Sequence, residues 1–246
     1  MPSRSGAWRA STIAPGQRTR RNWWTGSWPG DAGACWDVGC GTGIAGALFA
    51  ARGCEVTGVE VDERMAAVAR TKGLEVDVAS FEDWDDRGRR FELAISAQAW
   101  HWIEPRAGAA KAAEVLSAGG RIACFWNLGD PPAHVRERLD PVYDRLGPQD
   151  ASLTVVLGNS RGRGEDTTAA LDASGLFEPA DTRRFEWSRT YTTDEWLALI
   201  TTHSDHQALC EARLEALRDA VGAELDAIGG SFEYRYETVL VTATRA

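Results

Sequence analysis

The chain has 246 residues, a length that suits one α/β domain with at most a small covering insert. A net charge of −9 argues against a general nucleic-acid surface, and 43% hydrophobic residues suffice for a sizeable core. No apolar run reaches membrane-spanning length, and the basic N-terminus lacks the apolar stretch of a signal peptide.

The first 36 residues differ from the body. They hold five of the eleven Trp (Trp8, Trp23, Trp24, Trp28, Trp36) and five Arg against one acid, Asp31, whereas the remainder holds 22 basic and 35 acidic residues. Trp has a single codon, which makes an out-of-frame origin testable on paper. Asn22-Trp23-Trp24-Thr25 reads, one base earlier, as Glu-Leu-Val-Asp if Arg21 ends in G, and Cys35-Trp36 becomes Val-Leu if Ala34 ends in G. Residues 1–36 are therefore expected to be read out of frame, with 1–33 as an atypical segment, and Trp36 to overpack a first strand that would otherwise carry an aliphatic. The plainer alternative is a genuine but divergent tail.

From Ala34 onward strands and helices alternate. Ala34–Val38 is a short apolar run ending in glycines, Ile44–Arg52 a helix stopped by Gly53, and Glu55–Glu60 a strand. A helix over Glu63–Thr71, a strand over Leu74–Ala79 and another over Phe91–Ser96 follow. Pro105–Leu116 predicts a helix ended by Ser117-Ala118-Gly119-Gly120, and Arg121–Trp126 a fifth strand. Single helices between strands imply right-handed crossovers and a parallel sheet. After Asn127 the rhythm changes. His134–Leu146 reads as a helix, Gly147–Asp166 as a Gly-rich lid or loop, and Thr167–Ala173 as a helix capped by Asp166 and closed by Gly175. Arg183–Tyr191 predicts a strand. Thr192 with Glu195 forms a capping box opening a helix through Ile200; a longer helix spans His206–Ile228, and Phe232–Thr244 is the last strand.

Between the first strand and first helix lies Asp37-Val38-Gly39-Cys40-Gly41-Thr42-Gly43. Glycines there let the chain turn sharply and approach a ligand without a Cβ. Gly41-Thr42-Gly43-Ile44-Ala45-Gly46 is also a literal GxGxxG, a pattern that by itself points to NAD as readily as to anything else. Charge separates the two ligands. A pyrophosphate seeks a helix N-terminus, and Asp37 would face it at close range. S-adenosylmethionine carries an ammonium and a sulfonium instead, and an acid at the strand end suits it. Glu60, 17 residues after Gly43, can accept both ribose hydroxyls of either ligand.

These segments, with Val56-Thr57-Gly58-Val59-Glu60, Phe91–Ser96 and Gly119–Phe125, resemble class I S-adenosylmethionine-dependent methyltransferases over residues 34–127. Ile95-Ser96-Ala97-Gln98-Ala99-Trp100-His101-Trp102 and Thr202-His203-Ser204-Asp205-His206 look like a bacterial small-molecule subgroup distantly similar to trans-aconitate methyltransferases. The resemblance implies S-adenosylmethionine as cofactor, a small-molecule acceptor, and an antiparallel last strand. It implies that Asp37, Gly39, Gly41 and Gly43 hold the methionine part, that Glu60 with Val61 meets the ribose, and that Ser80-Phe81-Glu82 lines the adenine, with Ser96 closing the site. Many members begin that adenine segment with an acid, where this chain has Ala79; Phe81 stacking or Glu82 is expected to substitute.

Methyl transfer from an already activated sulfonium asks the protein mainly for proximity and alignment, and for a base only if the acceptor nucleophile holds a proton. His101 follows the fourth strand, at the sheet edge where α/β ligands sit, and is the expected catalytic residue, as general base or as a hydrogen-bond donor to the acceptor. Its bland alternative is packing between Trp100 and Trp102, which themselves either wall the acceptor or fill the core. Asp205 or Ser204 beside His203 and His206 reads as a helix cap before an acceptor contact, and no metal is expected. Glu82-Asp83-Trp84-Asp85-Asp86 with Arg87, Arg89 and Arg90 reads as a solvated loop, as do Arg161 and Arg163, whose functional alternative is attraction of an anionic acceptor.

The expected fold is α/β, a Rossmann-like doubly wound sheet of about seven strands with a helical lid. Residues 34–129 form the cofactor-binding core, 130–230 cover the acceptor and contribute one core strand, and 231–246 are the final strand. The expected function is methyl transfer to a small molecule in the cytoplasm, as the odd, scattered set Cys35, Cys40, Cys54, Cys124 and Cys210 without a CxxC pair suggests, with no nucleic-acid or membrane partner. The alternative is a cofactor-binding protein without catalysis, a decayed enzyme or a sensor.

Overall fold

The computed structural model describes residues 33–148, 162–202, 206 and 208–246. Residues 1–32 of the expected out-of-frame segment lie outside them, as do Arg161, His203, Ser204, Asp205 and most of the Gly-rich stretch. Seven strands form one sheet in the order β3-β2-β1-β4-β5-β7-β6. They are β1 (Ala34–Val38), β2 (Glu55–Glu60), β3 (Glu75–Val78), β4 (Phe91–Ala97), β5 (Leu116–Asp130), β6 (Asp181–Thr192) and β7 (Ser231–Thr244). The first five are mutually parallel where they pair, while β7 runs antiparallel to both β5 and β6. The chain order reverses between β1 and β4, which opens a crevice at their carboxyl ends.

Helices α1 (Ile44–Ala50), α2 (Glu63–Thr71) and α3 (Pro105–Val115) are the crossovers of the parallel half. Local chemistry sets their starts. The Asp62 side chain accepts the Arg64 amide at 2.9 Å at the head of α2, and Glu104 accepts the Ala107 amide at 2.7 Å ahead of Pro105 in α3. Helices α4 (Ala133–Leu146), α5 (Arg163–Ser174), α6 (Thr193–Ile200) and α7 (Glu211–Ala227) come after β5. The capping box of Thr192 and Glu195 opens α6 as its spacing predicts, and Gly175 closes α5 at φ 66°.

Several boundaries differ from expectation. Helix α5 starts at Arg163, four residues early, because Gly162 takes the N-cap at φ 106° and its carbonyl already receives the Asp166 amide at 2.8 Å. Asp166 is a first-turn acid there, not the cap. Helix α7 starts at Glu211 rather than His206, since the Leu209 amide closes a tight turn onto His206 and Cys210 is extended (ψ 152°), which breaks the ladder. Strand β5 continues to Asp130, four residues beyond Trp126, because β7 pairs with it throughout.

One sheet face carries Trp36, Val38, Trp126 and Val241 against α3 and α5; the other carries Cys35 and Phe125 against α2 and against α1, which contributes Phe49. A third cluster, with Tyr143, Trp196, Leu217 and Tyr234, lies under α4, α6 and α7. Trp36, the residue expected to crowd β1, is a core side chain. It is fully buried in an aromatic stack, 4.8 Å from Trp84 and 5.7 Å from Phe81, although its indole N–H finds no acceptor among the described residues. Trp84 corrects the solvated-loop reading in part: its neighbours are charged, but its ring is core and its N–H donates to Asp77 at 2.9 Å.

Candidate functional site

The glycine loop turns through left-handed backbone at Gly39, Gly41 and Gly43, with φ of 64°, 55° and 74°. Two of these glycines are also sterically required. A Cβ on Gly39 would stand 2.6 Å from Ala99 Cβ, and one on Gly43 would stand 2.7 Å from Leu74 Cδ1 and 2.8 Å from Ala69 Cβ. The loop after β1 is thus pressed against the segment after β4 on one side and against α2 on the other.

Glu60, at the end of β2, is buried and ties this loop down. Its Oε2 accepts the Gly41 amide at 2.8 Å and its Oε1 accepts the Asp62 amide at 3.0 Å. Each oxygen keeps a lone pair for a further donor. Ser96, buried at the end of β4, donates to the Val38 carbonyl at 3.0 Å and joins β4 to β1 beneath the crevice. Lys72 reaches in from α2 and spends its ammonium on the Thr42 carbonyl.

Asp37 is completely buried on the α1 side of β1, and neither carboxylate oxygen makes a hydrogen bond among the described residues. Burial pushes its carboxyl up to about 7; the Gly46 amide in the first turn of α1 lowers it, and Glu60 adds repulsion. Val61 is exposed just past β2, Ser80 accepts the Asp83 amide and donates to its carboxylate, and Phe81 is buried between Trp36 and an edge-on Trp100.

After β4 the chain forms a short 3₁₀ turn, Trp100–Trp102. Trp100 is core; Trp102 is 53% exposed. His101 lies between them, half-buried, and its Nδ1 accepts the Trp126 indole N–H at 3.2 Å. Because an indole nitrogen only donates, Nδ1 is unprotonated and the neutral ring carries its proton on Nε2. Burial, with the charge of Arg163 added, holds the His101 pKa down to about 4. At neutral pH this residue offers an N–H, so of its two expected roles the donor fits and the base does not.

Three residues here escaped the sequence reading. Gln98 sits at φ 59°, a strained conformation for a residue with a side chain, and bridges β4 to β5: its amide donates to the Phe125 carbonyl and its Nε2 to the Asn127 carbonyl. Trp126 fixes His101. Asn127 is buried and accepts the Thr238 hydroxyl on Oδ1 at 2.7 Å. A polar Asn directly after an apolar strand was the one available signal. Of the two C-terminal histidines, His206 is described; it is fully buried, 2.9 Å from the Tyr143 hydroxyl, and remote in role from the crevice. A separate cavity of about 730 Å³ opens between the end of β5, the start of α5 and Arg184, Arg235 and Glu237. Arg184 there already pairs with Glu165 and Glu237.

Residues 36–120 match the methyltransferase domain family. An uncharacterized methyltransferase of Mycobacterium bovis is 30% identical over 176 residues, covering 68% of this chain and 63% of the relative; counterparts in Mycobacterium tuberculosis match equally. The match thus spans less than two thirds of those relatives. In solved structures, a Bacillus halodurans protein described as a methyltransferase aligns with a TM-score of 0.52 at 17% identity, over 87% of this chain and 92% of its own. The YcgJ protein of Bacillus subtilis aligns with a TM-score of 0.51 at 17% identity and the same coverage. At such identity these two speak for the fold alone. The domain match, the mycobacterial relatives and the strand order together make this chain similar to the class I S-adenosylmethionine-dependent methyltransferases.

Proposed function

We infer that this protein transfers the methyl group of S-adenosylmethionine to a small-molecule acceptor. The observation that carries the reading is the Glu60 carboxylate bonded to the Gly41 amide, which places an acid and a Cβ-free loop together at the switch point of the sheet. The residues fit the cofactor's chemistry. Glu60 retains lone pairs for the two ribose hydroxyls, and Asp37 is a buried acid without a partner under the loop that would hold the methionine end. Gly39 and Gly41 leave the backbone bare, Val61 and Phe81 offer apolar surface, and Ser80 and Ser96 bound the crevice. Asp37, buried beneath the loop, would set a carboxyl against a pyrophosphate there, whereas it suits the cationic end of S-adenosylmethionine.

S-adenosylmethionine supplies the methyl as an activated sulfonium, so the chain's task is alignment and exclusion of water. Residues 34–129 do the first, and 130–230 cover the acceptor, with 231–246 completing the sheet. His101 and Trp102 stand on the acceptor side. Among the described residues no helix is long and apolar enough to cross a membrane, and a cytoplasmic setting with reduced thiols suits the five unpaired cysteines. Calorimetry with S-adenosylmethionine and with NADH tests the cofactor. A screen of small carboxylic acids, phenols and amines, scored by S-adenosylhomocysteine release, tests the reaction. Binding of NADH alone would overturn the first, and cofactor binding without any turnover would leave a sensor.

A further inference from the structure

Strand β6 is one edge of the sheet. Its 12 residues pair with β7 along their whole length, and among the described residues no strand lies on the other side. In an antiparallel ladder alternate residues turn both N–H and C=O away from the partner strand. Beyond the ladder, the backbones of Arg183, Arg184, Glu186, Trp187 and Ser188 bond to no other described element. This edge is therefore a template on which a further strand can pair. Arg184, Glu186 and Ser188 are exposed along it.

Charges on an edge strand ordinarily keep other strands off. Those of β6 are arranged to accept their own copy. Two copies of one strand pair antiparallel about a twofold axis normal to the sheet, and opposed residues must share a face. The axis therefore passes between the two copies of one residue, and that choice fixes every pair. With the axis at Phe185, Arg184 opposes Glu186, Arg183 opposes Trp187, Thr182 opposes Ser188 and Asp181 opposes Arg189. Each charge then meets its opposite or, for Arg183, an aromatic ring. An axis at Arg184 sets that arginine on itself. An axis at Glu186 sets the acid on itself and Arg183 on Arg189. Axes at Trp187 and Ser188 bring no opposite charges together.

Glu186 points the same way within the chain. It stands directly across the ladder from Glu237, a like-charge pairing that weakens a sheet. Arg184 is bonded to Glu237 and Glu165, and no ion pair among the described residues includes Glu186. The N–H fork of Arg184 is not exhausted by two carboxylates, so it can meet a third from outside.

We propose that the protein self-associates through β6, two copies joining edge to edge about an axis at Phe185 so that the sheet runs on from one subunit into the other. The partner is a second copy of this chain, and the contact of Arg184 with Glu186 across the axis selects the register. The association stands apart from the methyl-transfer reading, because β5 and β7 separate this edge from the crevice at β1 and β4.

The test is sedimentation of the full chain. The parent should run as a dimer that loosens as salt is raised. Glu186→Arg sets arginines against each other across the axis while giving Glu237 an opposite charge within the chain. It should therefore melt no lower than the parent and yet weaken the dimer about tenfold or more. Arg184→Glu should weaken the dimer likewise. Mixing the two variants restores opposite charges at both contacts, and the mixture should recover a heterodimer. Arg184→Glu deprives Glu165 and Glu237 of their arginine; if it folds poorly, Thr182→Cys mixed with Ser188→Cys takes its place. Under an added oxidant these two should crosslink to each other, and neither should crosslink alone beyond the level of the parent. A monomeric parent, a dimer indifferent to Glu186→Arg, no heterodimer from two folded charge variants, or no crosslink between the cysteine variants would overturn the proposal.

Discussion

The Glu60 carboxylate accepts the Gly41 amide at 2.8 Å, so the acid of β2 and the glycine loop of β1 behave as one unit. Glu60→Ala should therefore do two things at once. It should weaken S-adenosylmethionine binding by about 1–3 kcal/mol and lower the melting temperature of the free protein, because a buried amide loses its acceptor. Gly41→Val should abolish binding outright, since a β-branched residue resists φ 55°. Calorimetry and thermal melts read both; unchanged affinity in both variants would remove these residues from the cofactor site.

Gly43 has no room for a side chain. Gly43→Ala would push a methyl into Ala69 and Leu74 at a positive φ, and should cost about 1–3 kcal/mol by urea unfolding. A neutral result would mean that α2 yields readily and that the loop is not pressed against it.

Asp37 makes stability depend on pH. Its folded carboxyl is raised to about 7, whereas the unfolded value is about 3.9. The folded state therefore holds the proton longer, and stability from this group is whole below about pH 4 and is lost as pH rises to about 7. Asp37→Asn should flatten this slope and be more stable than the parent at pH 8 by about 1–3 kcal/mol, with little difference at pH 4. Urea unfolding at the two pH values checks it. If the ammonium of the cofactor lies near, binding at pH 6 should also release a proton, seen as heats that differ between buffers.

His101 should matter to turnover and not to cofactor affinity. His101→Ala is expected to lower turnover at least about tenfold, the loss of one oriented hydrogen bond, with S-adenosylmethionine affinity within about twofold. Because the pKa is held to about 4, the pH–rate profile of the parent should lack a His101 limb between pH 6 and 8. Such a limb, absent in the variant, would restore the general-base role.

Trp36 tests the reading-frame idea from the folded side. Trp36→Leu, the residue the shifted frame would supply, should leave a void beside Phe81, Trp84 and Phe91 and cost about 2–4 kcal/mol. A stabilised variant would favour the shift. Sequencing the source gene around the codons of Ala34–Asp37 decides it directly.

The parallel half of the fold was legible because its signals are local. β1 and β2 run Ala34–Val38 and Glu55–Glu60 as apolar period and flanking glycines indicate, and Thr192 with Glu195 announces α6. What stayed hidden depends on partners distant in sequence. Nothing near Trp126 says that β7 will carry β5 on to Asp130, and nothing near Asn127 reveals Thr238, 111 residues away. His101 was legible as a candidate from its place after β4, but its protonation is set by an indole 25 residues on, so its role was not.

The two ends of the crevice hang from different supports. The glycine loop is moored to β2 through Glu60, whereas His101 and Asn127 are moored to β5, β6 and β7 through Trp126, Thr238 and Trp187. The close packing of Ala99 against Gly39 and the Ser96 bond to the Val38 carbonyl join one end to the other. On the proposed reading, drift in the late strands retunes which molecule is accepted while leaving the donor end undisturbed. A lineage could change its chemistry by rewriting one half of the gene.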